Sequence, residues 1–399
     1  MRDLEIVVVG GGVAGASLAL RLVRLGAKVT VFERDVRFRD RVRGELMYPW
    51  GVAEARRLDL SELLASVGKE LRAWTTRIQP LDSWTRDLTK APPFGAPTLT
   101  FAHAEAQEAL LGAAASAGAE VLRGHSVTGV EAGERPSVSF RGSAGRRSVV
   151  SAHLVLGADG RSSITAATAG IATERLPETL VLAGAMFASA SAPVDTGHVF
   201  MRPEAGLLSL VAPLPGGRHR MYAGYHLATG RRNLSGPTAR QAFEDVLVGA
   251  GTPKEWMRGA GLIGPLAEFS GAESWTRPAA KRVALVGDAG AVSDPSWGCG
   301  LSLAMRDVRV LTEALAEADD LDAALHRYAR EHATYHESLR RQTRWLERLF
   351  RTPGPEADEL RSVAMPKIAA DPRRAPDVVG QGPDGPSDDA ARARFFGEL

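Results

Sequence analysis

Cysteine is almost absent from this sequence, since Cys299 is the only one in 399 residues. A single thiol cannot form an intrachain disulfide or a cysteine zinc cluster, and it is typical of proteins in a reducing compartment. Cys299 lies between two glycines with no resolving cysteine nearby, so we interpret it as a small loop side chain and not as a redox centre. These features favour a cytoplasmic protein.

Excess charge and long apolar runs are also missing. The 49 basic and 47 acidic residues give a net charge of +2, which offers no indication of a nucleic-acid partner. No apolar run approaches the ~20 residues that span a bilayer, and the first strand starts by residue 6, so we expect neither a membrane span nor a signal peptide. No metal-ligand cluster and no nucleophile motif is visible. We therefore expect no metal site and a reaction carried by a cofactor.

A glycine-rich segment near the start has the surroundings of a dinucleotide-binding turn. Residues 6–9 form a short β-branched run typical of a buried parallel strand, residues 10–15 read Gly-Gly-Gly-Val-Ala-Gly, and an apolar stripe at helical spacing follows. In this motif Gly10 makes the tight turn, Gly12 lets the backbone approach a pyrophosphate, and Gly15 lets helix and strand pack closely. Val13 and Ala14 begin the helix whose N-terminus faces the phosphates.

An acidic residue follows at the expected distance. Residues 28–32 predict a second strand, and Glu33 ends it, with Arg34 next to it, close to the roughly 20-residue offset at which a carboxylate reaches the ribose hydroxyls. Glu33 would repel a 2′-phosphate, which favours FAD or NAD over NADP at this site.

Two later segments repeat the pattern of a buried strand that ends in an acidic glycine turn. The first places Asp159 and Gly160 after residues 154–158, and the second places Gly287 and Asp288 after residues 283–286. Behind the second turn, Pro295, Gly298 and Gly300 precede a long helix with an apolar stripe that begins at Leu301. Asp307 lies off that stripe, so we expect it to be solvated.

These three motifs, in this order, resemble those of the group A flavoprotein monooxygenases, the aromatic hydroxylases of the para-hydroxybenzoate hydroxylase type. The G-x-G-x-x-G, D-G and G-D motifs and the downstream P-x-x-G-x-G all match, and the resemblance covers about residues 4–345. It implies bound FAD, reduction by NADPH or NADH, and oxygen transfer from a C4a-hydroperoxyflavin. No second G-x-G-x-x-G is present, so the nicotinamide would bind transiently.

The resemblance also implies roles for individual residues. Asp288 would hold the ribityl chain, Asp159 and Gly160 would act with the pyrophosphate, and Pro295 would lie near the reactive edge of the flavin. Backbone at Gly298, Gly300 and Leu301 would face the pyrimidine end. Further contacts to FAD would come from Arg43, with Arg41 as a competitor, and from Gln107, where relatives often have arginine. Relatives with G-D-A-A-H carry a histidine that this chain lacks, since Gly290 and Ala291 stand there.

Residues 171–279 alternate as a half-buried sheet does, for example around the turn at residues 215–217. In the family this part is the substrate domain, and one face of its sheet would roof the flavin. Tyr222, Tyr225 and His226 are its candidate substrate-facing groups, but a core tyrosine or an edge histidine with a local hydrogen bond is the commoner explanation, and none of the three is assigned a catalytic role.

The predicted fold class is α/β: a Rossmann-like FAD-binding domain, an interleaved α+β substrate domain on a mostly antiparallel sheet, and a C-terminal helical segment. We expect the FAD-binding domain at 1–75, 100–170 and 280–320, the substrate domain at 76–99 and 171–279, and C-terminal helices at 321–352. Residues 353–399, rich in Pro, Asp and Arg, are expected to form an irregular tail without a function. The sequence does not decide whether the protein is a monomer or a dimer.

The predicted activity is hydroxylation or epoxidation of an aromatic or polycyclic small molecule with O2. Arginine far outnumbers lysine, as in GC-rich bacteria, which associates the chain with secondary metabolism and antibiotic biosynthesis. A reductase of the geranylgeranyl type is an alternative, because residues 43–46 are not far from its motif. A halogenase is a weaker one, since Trp74 and Trp84 do not fit W-x-W-x-I-P and Lys69 is the only lysine near the expected region. A flavin-bearing sensor protein has little support.

Overall fold

The computed structural model describes residues 1, 4–42, 44–81, 83–142, 145–230, 234 and 238–399. Its helices are α1 Val13–Arg24, α2 Pro49–Arg57, α3 Ser61–Val67, α4 His103–Ser116, α5 Ile164–Thr168, α6 Ala239–Ala250, α7 Gly300–Glu317, α8 Leu321–Phe350, α9 Pro355–Ala370 and α10 Asp389–Phe396. No helix among these residues is both long enough and apolar enough to cross a membrane.

Its strands are β1 Glu5–Val9, β2 Lys28–Glu33, β3 Leu46–Met47, β4 Gly68–Leu71, β5 Ala73–Ile78, β6 Trp84–Asp87, β7 Thr98–Phe101, β8 Glu120–Arg123, β9 Ser126–Glu131, β10 Ser137–Arg141, β11 Arg147–Ser151, β12 Leu154–Gly157, β13 Thr173–Arg175, β14 Leu180–Ala188, β15 Thr196–Arg202, β16 Leu207–Pro213, β17 Arg218–His226, β18 Gly261–Ser270, β19 Ser274–Thr276, β20 Ala279–Ala280, β21 Val283–Leu285 and β22 Ala291–Val292.

A six-stranded sheet of order β20-β21-β12-β1-β2-β8 carries all three motifs. The five strands from β21 to β8 run parallel, so their carboxyl ends lie at one edge of the sheet. β1 is paired with β2 on one side and with β12 on the other, which makes its end the topological switch point where α/β sheets bind ligands. Apolar burial drives this layer, since residues 6–9 are each at most 3% exposed.

The second large sheet has seven strands in the order β18-β14-β17-β16-β15-β5-β6. Every pair in it is antiparallel except β5 with β15, as the sequence predicts for a mostly antiparallel substrate sheet. β16 and β17 form the expected hairpin around a 3-10 turn at Pro215–Gly217. The sheet already begins at Ala73, so the expected boundary at residue 75 falls within β5.

The C-terminal part differs from the expected irregular tail. α8 is one helix of 30 residues, and α9 and α10 follow it within residues 353–399. The high content of Pro, Asp and Arg obscured a helical stripe in α9, where Ala357, Ala364, Met365 and Ile368 are buried. Pro355 is tolerated because it lies in the first turn of α9. The α/β fold with two large sheets and a C-terminal helical segment is otherwise confirmed; three smaller sheets, β11-β10-β9, β13-β19-β22 and β3-β7-β4, accompany the large ones in the described part of the chain.

Candidate functional site

A cavity of about 600 Å³ opens at the carboxyl edge of the six-stranded sheet. The three motifs meet around it, because β1, β2, β12 and β21 all end there. Its lining includes most of the predicted cofactor residues: Gly10, Gly12, Val13, Ala14, Glu33, Arg34, Arg41, Gln107, Asp159, Gly160, Gly287, Asp288, Pro295, Gly298, Gly300 and Leu301.

Two glycines of the first motif shape the turn between β1 and α1. Gly10 has φ +98°, a left-handed conformation that side chains rarely adopt, and an added Cβ would lie 2.6 Å from the carbonyl oxygen of Ala158. Gly15 does not line the cavity but packs behind it, where an added Cβ would lie 2.0 Å from the carbonyl oxygen of Gly10. Gly10 therefore makes the turn and Gly15 permits the close packing, as predicted.

Two other glycines leave the cavity floor open. A Cβ at Gly300 would meet no protein atom within 4 Å, and one at Gly12 would meet only Nε2 of Gln107, at 3.6 Å. Gly12 and Cys299 are the N-cap residues of α1 and α7, and neither provides a side-chain cap. The backbone N–H groups in the first turn of each helix are therefore available to a ligand in the cavity. Uncapped helix N-termini beside bare backbone fit the phosphates and the polar ring edge of a flavin dinucleotide.

Glu33 is placed as predicted and also stabilises the turn. It is 6% exposed, its Oε2 accepts a hydrogen bond from the backbone N–H of Gly11 at 2.7 Å, and its Oε1 accepts one from the N–H of Asp35 at 2.8 Å. Each carboxylate oxygen can accept more than one hydrogen bond, so contact with a ribose hydroxyl is compatible with both.

Asp159 and Asp288 differ in how free their carboxylates are. Asp159 accepts hydrogen bonds from Oγ of Ser163 at 2.6 Å and from N–H of Thr165 at 2.9 Å, so its carboxylate supports the start of α5. Asp288 is half-exposed, and its only ion pair among the described residues is with Arg161, at 3.4 Å. Arg161 also donates to the carbonyl of Ser270 at 3.0 Å. Arg161 thus links the second motif to the third, a contact that the sequence analysis missed.

Asp307 corrects one sequence expectation, because it is fully buried and not solvated. Its Oδ2 accepts a hydrogen bond from the N–H of Gly287 at 2.7 Å, and its Oδ1 accepts one from the hydroxyl of Tyr335 at 2.5 Å. Burial would raise the pKa of Asp307, but His332, His336 and Tyr335 hold it below its ordinary value. The carboxylate therefore fixes the G-D turn from behind, across the α7–α8 interface.

Two histidines of α8 complete this buried group. Nε2 of His336 lies 3.3 Å and Nε2 of His332 lies 3.9 Å from Oδ1 of Asp307. A Cβ at Gly290 would lie 3.3 Å from Nε2 of His332, so the glycine that replaces the family alanine leaves room for this ring. The i, i+4 spacing of the histidines was the sequence signal for the group. Because protein donors already occupy the carboxylate, we interpret the group as support for the G-D turn.

The arginines and the glutamine predicted to contact FAD are placed differently in the structure. Arg43 lies outside the described residues. Arg41 lines the cavity and forms an ion pair with Asp35. Arg34 is exposed at the same edge. Gln107, on α4, lies beside the first glycine turn.

The loop before α7 is held by a buried ion pair. Asp294 accepts a hydrogen bond from Arg351 at 2.5 Å, and both side chains are 3% exposed. Asp294 also caps the 3-10 turn Pro295–Trp297 through the N–H of Ser296, at 2.9 Å. Burial raises the pKa of the neighbouring Glu273 to about 7. The last turn of α8 thus fixes the loop expected at the reactive edge of the flavin.

A second polar group reaches the cavity from the seven-stranded sheet. The hydroxyl of Tyr222 donates to Glu45, and Arg220 forms ion pairs with Glu45 at 3.1 Å and with Asp40 at 2.7 Å. Burial raises the pKa of Glu45, although Arg220 and Tyr222 oppose this. Glu45 and Tyr222 both line the cavity, so they offer a polar contact in an otherwise apolar roof.

Of the three candidate substrate residues, only Tyr222 lines this cavity. Tyr225 is fully buried in the apolar core against α6, because three residues along a strand lead to the opposite face. His226 is half-buried at the end of β17, where its Nδ1 accepts from the N–H of Ala228 at 3.1 Å. The structure therefore corrects the placement of Tyr225 and His226.

A second cavity, of about 430 Å³, adjoins the first, and Leu210 and Ser296 line both. One wall is a face of the seven-stranded sheet, another is α8, and the third is residues 372–394 of the supposed tail. The sequence gives no sign of this cavity, because its walls come from segments that lie far apart along the chain. Its aromatic lining comprises Tyr48, Trp74, Trp84, Trp297, Trp345 and Phe350.

Comparisons with known proteins agree with this geometry. A family model described as "FAD binding domain" matches residues 3–343. Squalene monooxygenase of Mus musculus is 47% identical over 60 residues, which are 15% of this chain and only 10% of that relative. Among solved structures, the flavin-dependent halogenase CmlS is 22% identical (TM-score 0.75, 90% of this chain and 67% of that chain). OxyS anhydrotetracycline hydroxylase from Streptomyces rimosus is 21% identical (TM-score 0.73, 99% and 76%).

The two structural likenesses concern the fold alone, whereas the family model covers most of the chain, including all three motifs. FAD is the cofactor that this family binds, and the residues around the first cavity fit it. The chain belongs to the FAD-binding-domain family of group A flavoprotein monooxygenases.

Proposed function

We propose that this protein is an FAD-dependent monooxygenase that hydroxylates or epoxidises an aromatic or polycyclic small molecule, with NADPH or NADH as a transient reductant. The observation that carries the proposal is the contact between the two cavities. The first has the motifs of an FAD site, and the second, across Leu210 and Ser296, is aromatic and large enough for a small-molecule ligand.

The residues of the chain bind and orient the cofactor in this scheme. With FAD bound, the amides at the N-termini of α1 and α7 would hold its phosphates and the polar edge of its ring, and Asp288 would hold its ribityl chain. Bound FAD supplies the chemistry that activates O2. Asp294 and Arg351 hold the Pro295–Trp297 turn in place, and this turn would lie between the bound cofactor and the substrate.

The second cavity supplies a water-poor space for a flat substrate. Trp74 and Trp297 are 1% and 7% exposed, and Leu210 is 6% exposed. Such walls stack on planar rings and exclude water from the reacting group. The aromatic walls carry no charged side chain in the described part of the chain, since the charged residues that line this cavity belong to β6 and to the C-terminal segment. An aromatic or polycyclic product of bacterial secondary metabolism is the substrate that we infer.

The halogenase alternative loses support, because no lysine lines either cavity in the described part of the chain. Lys69 lies in β4, away from both linings. A reductase would bind FAD in the same way, and what separates the two is that a monooxygenase consumes O2 whereas a reductase does not.

The test is to follow NAD(P)H and O2 consumption by the FAD-loaded protein with a panel of phenols and polycyclic aromatics. A monooxygenase consumes both together when substrate is added and forms an oxygenated product, whereas turnover without O2 would identify a reductase. In Leu210→Trp, which fills the junction of the cavities, we expect FAD to remain bound and substrate stimulation to be lost. Leu262→Trp, on the exposed edge strand β18, is the matched control. Full stimulation of Leu210→Trp would contradict the proposed substrate cavity.

A further inference from the structure

We propose that the entrance of the second cavity is an anion subsite, in which Arg394, with Arg374 beside it, binds a carboxylate carried by the aromatic substrate. This inference rests on the proposed substrate cavity and narrows the substrate to a flat aromatic acid. The C-terminal segment, residues 371–399, supplies both arginines.

The charges that line the second cavity are unbalanced. They are Arg86, Arg373, Arg374, Arg394 and a single acid, Asp377. Arg86 already neutralises Asp377 through two hydrogen bonds of 2.8 and 2.9 Å. Arg373, at the surface, is paired with Asp371 at 2.7 Å.

Of the two remaining arginines, only Arg394 has a guanidinium group without a partner among the described residues. Arg394, on α10, is exposed, and its side chain makes neither an ion pair nor a hydrogen bond to any residue in that part of the chain. Arg374 is half-buried, and its Nη1 donates to the main-chain oxygens of Arg394 at 2.7 Å and of Leu399, the last residue of the sequence, at 2.9 Å. The same contacts hold Arg374 next to α10 and thus next to Arg394.

This arrangement separates a cationic entrance from an aromatic interior. Arg394 is exposed to solvent, whereas Trp345, Phe350 and Leu210 lie deeper, at 8%, 3% and 6% exposure. A planar acid can therefore stack its rings inside while its carboxylate binds Arg394. Guanidinium groups bind carboxylates through paired, charge-assisted hydrogen bonds. Anchored at one end, the ring would present its other end to Ser296 and the first cavity.

The test measures binding by calorimetry to the FAD-loaded protein, with 2-naphthoate, methyl 2-naphthoate and 2-naphthyl phosphate as probes. We expect 2-naphthoate to bind about fivefold to tenfold more tightly than its ester, since a partly exposed charged hydrogen bond gives a modest gain. A similar gain for the phosphate would show that the subsite selects an anion in general, as the shared chemistry predicts. Added salt should reduce the preference.

The decisive variant is Arg394→Gln, with Arg392→Gln as its matched control. Arg392 lies on the same helix but is paired with Glu398 at 2.8 Å and does not line the cavity. Arg394→Gln should remove most of the preference for the acid and leave binding of the ester unchanged, whereas Arg392→Gln should keep the preference. Arg394→Lys should restore part of it.

Equal binding of acid and ester by the unaltered protein would overturn the anion subsite, as would equal losses in the Arg394 and Arg392 variants. Neither result would affect the proposed activity if neutral aromatics still stimulated O2 consumption. Conversely, a preference for the acid without any NAD(P)H oxidation would support the subsite and contradict the monooxygenase.

Discussion

Gly15 lies where α1 packs against the end of β1, and the space there admits no side chain. The nearest atom to an added Cβ is a backbone carbonyl oxygen, which cannot move aside as a flexible side chain could. The close packing of α1 on β1, and with it the shape of the cofactor site, therefore requires a residue without a Cβ at position 15.

We expect Gly15→Ala to purify with little or no FAD and to lose about 1–3 kcal/mol of unfolding free energy, because overpacking shifts α1 away from the sheet. Gly112→Ala is the control, since Gly112 lies in α4 with no atom within 4 Å of an added Cβ. That variant should keep its FAD and be equally or more stable. Flavin content and urea unfolding measure both, and a fully flavin-loaded Gly15→Ala would contradict the packing argument.

His332 is a second residue with a measurable effect, in this case on how the stability of the protein depends on pH. Burial lowers its pKa to about 3, while the unfolded chain has an ordinary histidine pKa near 6.5. Between these values the unfolded chain binds the proton and the folded chain does not, so acidification through this range favours unfolding.

The effect can be isolated by substitution. Between pH 7.5 and pH 5.0 this single histidine should lower the unfolding free energy by about 1–2 kcal/mol. His332→Gln should lack that contribution, whereas His326→Gln, exposed on the same helix, should retain it. Urea unfolding at the two pH values gives the comparison. An unchanged pH dependence in His332→Gln would show that the ring is not buried in its neutral form.

At the level of elements, the C-terminal segment is anchored along its length although much of it is irregular. Nε1 of Trp50 donates to the carbonyl of Val378 at 3.1 Å, and Arg306 forms two hydrogen bonds, of 2.6 and 2.7 Å, with Asp384. Together with the Arg86–Asp377 pair, these contacts fasten the segment to α2, α7 and β6. The segment is therefore a fixed wall of the second cavity.

Asp377→Asn should weaken this wall without disturbing the cofactor. Loss of the paired contact with Arg86 should speed tryptic cleavage at the arginines of residues 371–399 and lower the affinity for aromatic ligands several-fold, since part of the cavity wall loosens. FAD content should not change. Asp371→Asn removes an exposed ion pair with Arg373 and leaves an amide oxygen that can still accept from the N–H of Arg373, so it serves as the control. Cleavage at the same rate in both variants would contradict the anchoring role of Asp377.

For the whole molecule, the sequence predicted those features that depend on residues adjacent along the chain. Strand, glycine turn and helix follow one another within residues 5–24, and the parallel order of the strands brings Glu33, Asp159 and Asp288 to one edge. The sequence did not predict the burial of Asp307, because its partners come from α8 and from the G-D turn. It also missed the second cavity, whose walls are contributed by β5, β15, α8 and the C-terminal segment. Such contacts arise only when distant elements pack.

The most direct test of the account is a titration of flavin-free protein with FAD, followed by flavin fluorescence and by the visible spectrum. The three motifs around one cavity predict saturation at one FAD per chain, and Asp288→Ala should weaken binding about tenfold or more through loss of a charged hydrogen bond. Absence of FAD binding, or binding unaffected by both Gly15→Ala and Asp288→Ala, would contradict the site described at the carboxyl edge of the sheet.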